Sequence, residues 1–170
     1  MAIVTLFNLL RILIHKPIKQ QSKMKIPEIK ISVKYDKAKQ SELYKISSSK
    51  DIYDLAKKVF NADTIQWTEE QILFCLNRAN NVVGFYKVSS GGTTATLCDT
   101  KVILTIALNC CAQSIILVHN HPSGNLKPSE GDITVSKKVK EAANLLDIQL
   151  LDHIIISEEG YFSCADTGII

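Results

Sequence analysis

The chain has 170 residues, of which 46% are hydrophobic and 22% charged, and a formal net charge of +3. That is ordinary globular composition, enough for one domain plus an arm, and it excludes a disordered chain, a collagen-like repeat and a coiled coil. The charge is uneven: residues 1–60 carry 13 Lys/Arg against 5 Asp/Glu, and residues 61–170 carry 7 against 12.

In chain order, residues 2–14 are apolar but interrupted by Arg11. The run is shorter than the ~20 residues a spanning helix needs. It lacks the basic start and small-residue cleavage site of a signal peptide. Met24 begins a more conventional soluble sequence, so residues 1–23 read as a start-site artefact or a peripheral arm. Residues 28–35 alternate apolar and polar, which predicts a short strand. Ile52, Leu55, Ala56 and Val59 recur at helical spacing, with Asp51 early and Lys57 and Lys58 late, as the helix dipole prefers. This predicts a short amphipathic helix packed on the domain that follows. The sequence divides into a basic N-terminal arm with that helix, residues 1–66, and a compact domain, residues 67–170.

Residues 71–76 and 82–88 read as two strands joined by the turn-forming run Asn77-Arg78-Ala79-Asn80-Asn81, hence a hairpin. A Gly/Ser/Thr loop follows over 89–94. Asp99 or Thr100 then caps a helix over 101–112 with Val102, Ile103, Ile106 and Ala107 as its stripe. Residues 114–118 form a buried strand, 119–128 a Pro/Gly/Asn loop, and roughly 129–146 a long helix with Val139, Ala142, Ala143 and Leu146 inward. Residues 153–157 and 161–163 close the chain as strands. Strands alternating with helices after an opening hairpin predict an α/β fold with a mixed sheet covered by helices. The five cysteines form no CxxC pair, and four sit in apolar stretches, which fits buried free thiols and a reducing cytoplasm.

The chemistry concentrates in VHNHPSGNLKPSEGD, residues 118–132. His119 and His121 are two apart at a strand's carboxyl end, so both imidazoles project from one face. Open α/β sheets place ligands at that end. Asp132 lies in the first turn of the next helix, and the intervening loop is long enough to bring it back. Two His and one carboxylate make a three-ligand zinc set that leaves a fourth position for water. The same residues admit a plainer reading: Ser129-x-x-Asp132 is a capping box, His119 a core histidine, and Asn120 a turn residue. Cap and ligand do not conflict, since Ser129 can cap while Asp132 coordinates.

The segment HNHPSG…PSxxD resembles the HxHPx(n)SxxD signature of the JAB/MPN metalloprotease-like domain, the JAMM motif. LNRANNVVG at 76–84, HNHPSGNLKPSEGD at 119–132, LLDHIIIS at 150–157 and GYFSCADTG at 160–168 are similar specifically to the bacterial RadC family. The resemblance covers roughly residues 67–170. It implies a helix-wrapped mixed sheet of cytidine deaminase-like architecture and a zinc hydrolase acting on amide or isopeptide bonds of a peptide or protein substrate. By that resemblance His119, His121 and Asp132 hold the zinc ion, and Ser129 donates a hydrogen bond to the developing oxyanion. A glutamate at the start of the first domain strand serves as the base; Glu69 is favoured and Glu70 is the fallback. His153, beside Asp152 at a strand start, reads as structural ahead of a supporting role at the metal.

Two other readings compete: a non-catalytic MPN-like interaction module, and a DNA-repair function carried by the family's traditional label. RadC proteins commonly bind nucleic acid through glycine-containing hairpins, yet no glycine precedes Gly84. The basic arm alone offers only a non-specific electrostatic contact. Nucleobase deamination lacks both of its signatures, H-x-E and P-C-x-x-C.

Overall fold

A computed structural model describes residues 42–91 and 99–170. The apolar run at 2–14, the strand expected at 28–35, most of the basic arm and Cys98 lie outside the described residues. The elements below all belong to one compact unit, Ser32–Ile170.

The fold is α/β, with helix α1 (Ser49–Val59), strands β1 (Glu70–Leu76) and β2 (Val82–Ser90), helix α2 (Thr100–Asn109), strand β3 (Ser114–Asn120), helix α3 (Glu130–Asn144), and strands β4 (Gln149–Ile156) and β5 (Tyr161–Ser163). The five strands form one sheet in the order β2-β1-β3-β4-β5. It is mixed: β3 and β4 run parallel, and the other three pairings are antiparallel. The parallel pair is joined through α3, because parallel neighbours need a long crossover.

Strand alternation divides the core into two layers. Ile72, Phe74, Leu76, Ile116, Val118, Ile154 and Ile156 pack with Ile52, Tyr53, Ala56 and Phe60 of α1 and its C-terminus. Leu73, Cys75, Ile115 and Leu117 pack with Ile103 and Ala107 of α2 and Val139 and Ala143 of α3. Every residue of β1 and β3 is buried, as expected for strands covered on both faces. A capping box between Ser48 and Asp51 starts α1, and Asp99 caps α2.

Several boundaries differ from the sequence expectation. Helix α2 ends at Asn109 rather than 112, because Cys111 adopts a left-handed φ of 50°. Its Val102 is exposed, and so is Leu146, which falls beyond the end of α3. Strand β4 starts at Gln149, four residues before the apolar run, because pairing with β3 recruits Gln149 and Asp152 into the ladder. Strand β3 continues to Asn120, so His119 stands in the strand and not in the loop after it.

Among the described residues no helix is long and apolar enough to cross a membrane.

Candidate metal centre

The two faces of the sheet decide which side chains meet. Odd-numbered residues of β1 and β3 point to the α2/α3 layer, and His119 is one of them, opposite Gln71 in the ladder. His121 follows two residues later and turns its ring to the same side. Ligand atoms of Glu69, His119 and His121 all lie within 4.8 Å of one another. Asp132, in the first turn of α3, completes the group from above: its Oδ1 is 3.3 Å from His119 Nε2 and its Oδ2 3.7 Å from His121 Nε2. The two Nε2 atoms are 2.9 Å apart.

Glu70 is one residue out of phase and faces away. Its carboxylate meets Lys87 at 2.9 Å on the neighbouring strand and takes a long bond from Ser90. Ser129 is the N-cap of α3; both its hydroxyl and its N–H donate to Asp132 Oδ2 at 2.7 Å. The capping box thus orients the carboxylate toward the imidazoles, leaving Oδ1 free of helix bonds.

His121 Nδ1 lies 2.5 Å from the Asn125 carbonyl, which only accepts, so Nδ1 carries a proton and Nε2 is the nitrogen turned toward His119 and Asp132. The residues therefore converge two imidazole nitrogens and a carboxylate oxygen, a donor set suited to a borderline divalent cation. Bonds of 2.0–2.1 Å in a tetrahedral zinc site place ligand atoms about 3.3 Å apart. The three separations here bracket that spacing.

The electrostatics reflect the close approach of these groups. Contact with Asp132 raises the pKa of His121, against a partial lowering by burial. Burial works upward on Asp132, but His121, His119 and the bonds from Ser129 outweigh it and hold the carboxyl far below its usual range. His119 is lowered well below an ordinary histidine, chiefly by burial and then by the neighbouring His153. His153, buried beneath it, is pushed down to about 4 by the same loss of water.

Asn120, read from sequence as a turn residue, has a different role. It is fully buried on the α1 face. Its Oδ1 accepts from Glu70 N at 2.7 Å, and its Nδ2 donates to the Ile65 and Thr68 carbonyls at 2.6 and 2.8 Å. The amide thereby ties the segment before β1, which delivers Glu69, to the strand that delivers both histidines. Asn120→Ala should orphan one buried N–H and two carbonyls, costing about 3 kcal/mol. Thermal melts should show a drop of roughly 10 °C; an unchanged Tm would mean the loop is held by other contacts.

Beside the centre, a polar cleft of about 370 Å³ is lined by Ile65, Gln66, His121, Pro122, Ser157 and Glu158 among others. It opens the His121 side of the group to solvent.

Residues 46–169 match the family model described as RadC-like JAB domain. A UPF0758 protein of Flavobacterium johnsoniae is 39% identical over 128 residues, 75% of this chain and 55% of its own length. A UPF0758 protein of Porphyromonas gingivalis is 42% identical over 103 residues, 60% of this chain and 45% of its own. One of Methanosarcina barkeri is 37% identical over 126 residues, 74% of this chain and 54% of its own. The chain thus spans about half the length of the curated relatives it matches.

Proposed function

Because the chain belongs to the RadC-like JAB domain family, we propose that it is a zinc-dependent hydrolase of the metallopeptidase type, acting on amide or isopeptide bonds in a peptide or protein. One observation carries the reading: two imidazole Nε2 atoms and the Asp132 carboxylate converge, with a second carboxylate, Glu69, beside them. A scaffold domain has no need of a buried imidazole met by a second imidazole and two half-buried carboxylates.

In this reading His119, His121 and Asp132 hold the ion. Zinc there supplies a nucleophile at neutral pH, since it lowers the pKa of water from about 15.7 towards about 7. Glu69 removes the proton and returns it to the leaving amine, the work of a general acid–base group. Ser129 donates to the developing oxyanion. Its hydroxyl is free to turn that way, because its own N–H keeps a bond to the same oxygen of Asp132. The cleft beside His121 receives the substrate. The free thiols Cys75, Cys110, Cys111 and Cys164 fit a reducing, cytoplasmic setting.

The test is elemental analysis of protein purified without chelators, followed by hydrolysis of peptides containing backbone and isopeptide amide bonds. We expect about one zinc per chain, and cleavage that a chelator abolishes and added zinc restores. Zinc-loaded protein that cleaves none of these bonds would favour the interaction-module reading. A chain that binds no zinc would sink the metal centre itself.

A further inference from the structure

His153 lies 34 residues from His119 in sequence and directly beneath it in space. Its Nε2 is 2.8 Å from His119 Nδ1, and its Nδ1 is 2.6 Å from Ser136 Oγ. The Ser136 hydroxyl in turn donates to the Asp132 carbonyl at 2.6 Å. All three side chains sit in the α3 layer of the core, and His153 and Ser136 are essentially without water.

The protons of this hydrogen-bonded series can be placed in order, with His121 Nε2 donating across its 2.9 Å contact to His119 Nε2 when no ion is bound. Ser136 has a single proton and spends it on the Asp132 carbonyl, so toward His153 its oxygen accepts. His153 Nδ1 therefore carries a hydrogen. Buried with no carboxylate bonded to it, His153 is the neutral ring, and its Nε2 is an acceptor. His119 Nδ1 must then donate, and the remaining nitrogen of His119, Nε2, keeps its lone pair. That nitrogen faces His121 and Asp132. The opposite tautomer of His119 would put an N–H where the ion belongs.

We propose that His153, oriented by Ser136, is a positioning residue that locks His119 in its Nδ1–H tautomer and aims Nε2 into the metal centre. The proposal rests on the metal-site reading above. It gives the buried His153 a purpose that packing does not require, since a leucine would fill the space without needing two partners. The circuit is also closed on itself: it starts at the backbone of Asp132 and ends at the ring that Asp132 faces. Ligating carboxylate and ligating imidazole are thereby fixed relative to one another through α3.

The tautomer itself is read on metal-free protein by long-range ¹H–¹⁵N NMR of the histidine rings. We expect His119 with Nδ1 protonated and Nε2 bare. His153→Leu should mix the tautomers and weaken zinc, measured by competition with a chromophoric chelator, by roughly 10–100-fold, the usual effect of removing a ligand's outer partner. His153→Gln can accept from His119 and donate to Ser136, so it should restore the wild-type tautomer and bring affinity back to within a few-fold. Ser136→Ala is the second route: it frees His153 to turn its protons round, and should weaken zinc in a protein that retains every ligand and His153. His119 carrying its proton on Nε2 in the wild type would overturn the proposal. So would His153→Leu and Ser136→Ala proteins that bind zinc as wild type does. Wild-type protein that binds no zinc, yet shows the expected tautomers, would instead mark failure of the metal reading.

Discussion

His121→Ala protein should emerge from purification essentially free of zinc. A zinc site with four ligands gains about 10–16 kcal/mol. Each ligand therefore carries roughly 2.5–4 kcal/mol, about 10²–10³-fold in affinity. With one imidazole gone, two protein ligands leave the ion largely to water. His119→Ala should lose zinc as fully but behave differently when stripped of metal. His121 is partly exposed at the cleft, so its loss should barely move the melting temperature of the metal-free protein. His119 is buried and bonded to His153, so its removal strands a buried ring nitrogen and opens a cavity. Elemental analysis and paired melts of both variants check this. Full zinc in both would discard the proposed ligand set.

Glu69→Gln should give the converse result: normal zinc and little activity. The glutamine keeps the shape and reach of the side chain but cannot take a proton. The expected loss is roughly 10²–10⁴-fold in turnover, the span for removing a general acid–base group. Glu70→Gln provides the control. Its side chain points to the other face and pairs with Lys87, so the change should affect stability and leave turnover alone. Equal rate losses in the two variants would mean that neither carboxylate has a specific catalytic part. A zinc-free Glu69→Gln protein would make Glu69 a ligand instead of a base.

What could be read from the sequence follows the range of each signal. The element order and the mixed sheet were legible because helices and strands write their periodicities locally. That His119 and His121 share a side follows from the two-residue repeat, but whether Glu69 or Glu70 joins them depends on the register of β1 against β3, which no repeat within one strand records. Asn120 was not legible, since it is one residue out of phase with the histidines and its partners lie about fifty positions earlier. The clue was its composition: an amide continuing a buried apolar strand must find partners for every polar atom. His153 was harder still. Its contact with His119 depends on the parallel register of β3 and β4, which a crossover helix sets and no local pattern records. The early start of β4 escaped for the same reason, because pairing and not hydropathy put Gln149 in the ladder.

The central position of β3 also bears on the order in which the molecule assembles. The strand is hydrogen-bonded to β1 on one side and β4 on the other, and the proposed ligands arrive from the end of β3 and from the first turn of α3. The three ligands lie close in sequence, within residues 119–132, but their fixed arrangement needs β3 extended in the sheet, α3 docked on it and His153 delivered by β4, so an ordered site has to wait for non-local pairing, the slow part of building a sheet. An ion captured that late finds little of its binding energy available at the folding barrier. It would act as a latch, slowing escape from the native state while leaving the folding rate almost untouched.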